Sequence, residues 1–134
     1  MGLDFHYSEL TNKFNLTSGE MVIHLKKGGG MPKVALFIKV KAQPGKREEV
    51  KQLWEKYVKP HSESEQALDI GCYCYSLEDE DTICLFELIS DPSVIKSTMQ
   101  SDWFTAYQEE LMPLLANPTE IITTDPIWVK GAPL

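Results

Sequence analysis

Thr82-Ile83-Cys84-Leu85-Phe86-Glu87-Leu88-Ile89-Ser90-Asp91-Pro92-Ser93 is the stretch on which the fold turns. Its first part is apolar, aromatic and rich in branched side chains, the composition of a strand. Asp91-Pro92-Ser93 then opens a helix, because a proline in the first turn lacks only an N–H that would have had no partner there. That helix is expected to end near Ser101. On the other side, Glu78-Asp79-Glu80-Asp81 is an acidic turn and Ile70 to Leu77 is a second strand, so the two strands make a hairpin. With Asp79 and Glu80 at the turn centre, Cys74 is expected opposite Leu85 and Cys72 opposite Glu87. Tyr73 and Tyr75 then fall on the other side of the strand, against a partner sheet.

Further out, Lys33 to Lys41 alternates Val34, Leu36, Ile38 and Val40 with Ala35, Phe37, Lys39 and Lys41, the period-two pattern of another strand. Gln43-Pro44-Gly45 makes a turn. Val50, Leu53, Trp54, Tyr57, Val58 and His61 follow at spacings of three and four, one apolar face of a helix that Pro60 kinks or ends. Ser62 to Gln66 continues it more loosely. After the central hairpin, Phe104, Tyr107, Leu111 and Leu114 or Leu115 mark a further helical face up to Ala116, with Pro113 bending its last turn. Glu120 to Lys130 is expected as the final strand. The order is strand, helix, strand, strand, helix, strand, the split βαβ or ferredoxin-like α+β plan. Its helices cover one sheet face, and the other needs a cover such as a second subunit.

Residues 1–31 read as an N-terminal extension ahead of a domain at 32–134. Ser8 to Thr17 suits a short helix. Met21, Ile23 and Leu25 alternate along a strand that Gly28-Gly29-Gly30 would turn back onto Lys33–Lys41 as an added edge strand. Lys26-Lys27-Gly28-Gly29-Gly30 ahead of Met31 is also what a purine-rich ribosome-binding site would encode, which makes Met31 a candidate translation start.

Across about residues 33 to 129 the chain resembles the antibiotic-biosynthesis monooxygenase family of dimeric α/β barrels. The resemblance is carried by Val40-Lys41-Ala42-Gln43-Pro44-Gly45-Lys46, by Phe86-Glu87 with Asp91, and by Phe104, Leu114-Leu115 and the closing Pro126-Ile127-Trp128. It implies a homodimer with facing sheets and a pocket between sheet and helices in each subunit. It also implies cofactor-free oxygenation of quinol-like or polyketide-like aromatics, isomerisation of small metabolites, or heme breakdown. Members often carry Trp two positions after the strand Glu and His within the second helix; Ile89 and Thr98 stand at those places. Heme-degrading members need an Asn on the first strand, where this chain has Ile38, so heme breakdown is not expected.

Composition narrows the partners. With 13 basic and 20 acidic residues among 134, the net charge of −7 leaves no electrostatic footprint for nucleic acid or anionic lipid. No apolar run reaches the ~20 residues that span a bilayer, and a cytoplasmic protein is expected. Cys72, Cys74 and Cys84 are too few and too close for a disulfide framework or a zinc site, and are read as reduced thiols. The acidic turn lacks the spacing and glycine of a calcium loop, so neither metal nor cofactor is expected.

Two side chains are candidates for proton transfer. His61, at the end of its helical face beside Pro60, is placed to reach the pocket mouth as a general base. Glu87, inside an apolar strand, would hold a raised pKa unless a cation or hydroxyl meets it. Trp54, Cys72, Ile89, Thr98, Trp103 and Tyr107 are the expected pocket lining. The reading is a small-molecule enzyme of the monooxygenase type, with a non-catalytic or isomerase-like binding dimer on the same fold as its alternative.

Overall fold

The computed structural model describes residues 4–6, 22–24 and 32–131. The described residues hold six strands and four α-helices; the strands are β1 (Asp4–His6), β2 (Val22–His24), β3 (Val34–Lys41), β4 (Leu68–Tyr75), β5 (Thr82–Ile89) and β6 (Glu120–Thr124). The helices among these residues are α1 (Arg47–Tyr57), α2 (Lys59–Ser64), α3 (Ser93–Met99) and α4 (Asp102–Leu111). The main sheet is antiparallel, in the order β4-β5-β3-β6. This is the ferredoxin-like arrangement, with the first and third strands of the domain side by side at the centre.

The period-two pattern of β3 puts Val34, Leu36 and Val40 under the helices, where they join Ile83 and Ile89 of β5 in one core. Val50 from α1, Met99 from α3 and Phe104, Tyr107 and Leu111 from α4 fill the other side. The opposite face carries exposed Phe37, with its ring 5.1 Å from that of Phe86, exposed Ile122, and the three exposed cysteines. Ala35 and Leu88, paired with each other on that face, are buried.

The α1 turn closes on Gly45, whose φ of 78° suits a residue without Cβ. Arg47, first residue of α1, places its guanidinium 3.9 Å over the Tyr75 ring and donates to the carbonyls of Ser76, Asp79 and Thr82. The hairpin loop is thereby tied to the helix. Asp91 Oδ1 accepts from the Ser93 amide at 3.0 Å, so α3 starts where its sequence predicts.

Several expectations are corrected. The added edge strand does not form on β3, because β5 and β6 occupy both its edges; β2 pairs instead with β1, Phe5 opposite Ile23. The short helix expected at 8–17 lies outside the described residues. The first helix breaks at Val58, ahead of Pro60, which occupies the first turn of α2. The last strand stops at Thr124, before Pro126, and leaves Ile127 and Trp128 exposed.

The hairpin register differs by one residue: Cys74 pairs with Cys84, Cys72 with Phe86 and Gly71 with Glu87. Tyr73 and Tyr75 therefore face the helices, with the Tyr73 ring 4.3 Å from that of Trp54, and Cys72 turns away from Glu87. The cause is the loop. The Ser76 amide donates to the Thr82 carbonyl at 3.1 Å, and the Ser76 hydroxyl accepts from the amides of Glu78 and Asp79, so Asp79 alone is central.

Candidate functional site

Between the sheet and the helices lies a cavity of about 400 Å³. Its floor is Leu36, Ile38 and Val40 of β3 with Leu85, Glu87 and Ile89 of β5. Its roof brings Trp54 from α1, Thr98 from α3, and Trp103, Tyr107 and Gln108 from α4. Most of this surface is hydrocarbon or aromatic ring, the environment in which a few polar groups fix a ligand's orientation.

Glu87 is the ionisable group at the centre. On β5 it stands among Leu85 and Ile89 on the same face, with Leu36 opposite on β3 and Gly71 opposite on β4. Desolvation alone raises its pKa above the ordinary carboxylate value. Its carboxyl has no hydrogen-bond or ion-pair partner among the described residues. Burial also pushes the Tyr107 hydroxyl upward, with the Glu87 charge adding to the shift. The carboxyl is therefore poised to hold a proton or remove one, and it is not spent on a structural ion pair.

His61 stands at the cavity mouth. Its ring stacks on Trp103 with centroids 3.9 Å apart and planes 5° from parallel. A carbonyl only accepts, so the 2.9 Å contact with the Tyr57 carbonyl puts a proton on Nδ1 and leaves Nε2 as an acceptor in the neutral ring. His61 is exposed, and the stack joins α2 to α4 at the entrance.

Trp54, Ile89, Thr98, Trp103 and Tyr107 all line the cavity, as do both His61 and Glu87. Cys72 does not; it borders a smaller chamber beside β4. Several polar contributors, among them Gln108, Ser62 and Thr119, are missing from the sequence reading. Gln108 follows Tyr107 and shares the helical face of Phe104 and Leu111 at spacings of four and three, a signal present in the sequence. Ser62 and Thr119 carry no comparable pattern. Among the described residues no group of three or more His, Cys, Asp or Glu has a metal-binding arrangement, and no helix is long and apolar enough to cross a membrane.

No family model and no curated protein sequence matches the chain. Solved structures do. A protein from Caulobacter crescentus, named as a candidate antibiotic biosynthesis monooxygenase, superposes with a TM-score of 0.66 at 18% identity, over 72% of this chain and 92% of its own. One from Chloroflexus aurantiacus with the same description gives 0.62 at 20% identity, over 74% and 97%. A third, from Bacteroides thetaiotaomicron, gives 0.65 at 16% identity, over 77% and 96%. At these identities the likeness is one of architecture. The chain thus shares the ferredoxin-like α+β fold of these structures.

Proposed function

We propose that this protein is a cofactor-independent monooxygenase acting on a small aromatic, quinol-like or polyketide-like compound. The observation that carries the reading is Glu87: a carboxyl without a partner, in an apolar cavity large enough for a two- or three-ring molecule. Such a group removes a C–H or O–H proton from a phenolic substrate and leaves an enolate or phenolate. That anion supplies the electrons to oxygen. A CH₂ group becomes C=O, one oxygen atom is kept, and the other leaves with two hydrogens as water, so the step needs no outside reductant. Tyr107 and the aromatic walls exclude bulk water from the anion.

The alternative is a binding or isomerase-like protein on the same fold. A cavity refilled by large side chains would favour a lapsed site; the open space beside Glu87 favours ligand binding. The open sheet face, with Phe37 49% and Ile122 63% exposed, suits a second copy of the chain, and we place the dimer interface there. The domain begins near residue 32, with 1–31 as an extension.

The test is oxygen uptake with a panel of quinols and polyphenols. Wild type consumes oxygen with at least one of them; Glu87→Gln slows it about 100-fold or more, and His61→Ala less than about tenfold, as general-base losses scale. Uptake by none of the panel, or full activity in Glu87→Gln, removes the oxygenase reading.

A further inference from the structure

The main cavity has a side chamber. A second space of about 300 Å³ lies between α2 and the edge strand β4, and Trp54, Ser62, Leu68, Leu85 and Glu87 line both. These shared residues border both spaces where they adjoin, and that boundary is the neck. The two spaces differ in chemistry: the main one is walled mostly by Leu, Ile and aromatic rings, while Lys59 and Glu63 border the side chamber alone.

Gly71 opens this chamber. It is paired with Glu87 across the β4–β5 ladder, so any side chain at 71 would stand beside the carboxyl on the same face. A Cβ built there meets Leu68 Cδ2 at 3.3 Å, in the neck itself. Glycine is not needed for backbone conformation here; it lies within β4 and has no positive φ. What its missing side chain provides is space. Ser62, across the neck on α2, has a hydroxyl without a partner among the described residues, like the Glu87 carboxyl. Two unpaired hydrogen-bonding groups thus flank one passage, and a polar ligand atom seated between them would satisfy both.

We infer that the ligand of this protein is two-armed: an apolar fused-ring body in the main cavity, and a narrower arm ending in a polar group that passes Glu87 and Ser62 into the chamber left open by Gly71. The inference rests on the reading of the main cavity as the ligand site, and it names the class of molecule that site selects. Gly71 and Ser62 become specificity-determining residues, distinct from the base itself.

Two probes separate the arms. Hydroxychromone is a fused bicycle; a dihydroxyflavone is the same bicycle carrying a phenol. Calorimetric titration of wild type should show the flavone binding about tenfold or more tighter, the increment for burying one further ring. Gly71→Val should abolish that advantage, and an unchanged circular-dichroism spectrum and melting temperature certify that the variant is folded. In wild type, nuclear Overhauser contacts from the phenol ring to the Gly71 Hα protons give a readout that needs no variant. An advantage that survives Gly71→Val, or no advantage with the bicycle still bound, overturns the two-armed ligand and leaves the main cavity as the site. Failure of wild type to bind either compound overturns both.

Discussion

Gly71 stands directly opposite Glu87 in the β4–β5 ladder, so the one carboxyl in the cavity floor has an absent side chain as its cross-strand neighbour. The carboxyl consequently has no side chain beside it on β4, and no charged group among the described residues compensates it.

That isolation predicts a pH-dependent stability. The folded-state pKa of Glu87 is raised, so folding favours its protonated form; the penalty is absent below the ordinary value near pH 4.5 and grows as pH rises through the raised value. Glu87→Gln should therefore melt like wild type in acid. At pH 8 it should be more stable by about 1 kcal/mol, the low end for relieving an unpaired buried polar group. Equal melting of the two proteins at pH 8 would contradict the uncompensated carboxylate.

Asp79 predicts the opposite slope. The Lys41 ammonium first, then the Asp81 amide and the Thr82 hydroxyl, hold its carboxyl well below the ordinary carboxylate range. A depressed folded-state pKa contributes stability above the unfolded value, near pH 4, that is lost as pH falls toward the folded one. Asp79→Asn should lower the melting temperature at neutral pH and flatten its decline in acid. An unchanged acid slope in thermal denaturation would count against this role.

The core sets a scale for the fold as a whole. Ile83 is fully buried on the helix-facing side of β5, opposite Val40 and Tyr75. Ile83→Ala should cost about 2–5 kcal/mol, the range for truncating a large aliphatic side chain in a packed core. Chemical denaturation measures it, and a loss below 1 kcal/mol would mean that β5 packs less tightly than its burial shows.

The sheet face predicts assembly. Phe37→Asp puts a charge in the centre of the exposed apolar surface, beside Phe86. Sedimentation should show wild type as a dimer and the variant shifted to monomer, with the cavity's ligand affinity retained. A wild-type monomer, or a variant dimer, would place the interface elsewhere.

Much of this molecule is legible in its residues, and the reasons differ by element. β3 reads clearly because Val34, Leu36, Ile38 and Val40 share one parity. Glu87 reads as special because an acid flanked by Leu85 and Ile89 on the helix side is largely desolvated. The hairpin register is less accessible. It depends on Ser76 and Asp79 folding their side chains back onto loop amides, a choice that composition does not reveal and that moves Cys72, Tyr73 and Tyr75 to opposite faces. The side chamber is harder still, since Gly71 gains meaning only from the partner the register assigns it. The partnering of β2 with β1 is likewise decided by β6 claiming the second edge of β3, a contact more than 80 residues away in sequence.

The ladder between β4 and β5 shifts register between Leu68 and Ile70, leaving Asp69 without an opposite number. Because β4 is an outer strand of the main sheet, that irregularity falls on a border where another polypeptide might otherwise add itself. A bent border with a carboxylate at the bend, ion-paired to Lys33, is a poor template for a further strand. A chain that keeps one apolar sheet face uncovered thus guards this flank against fibrous growth.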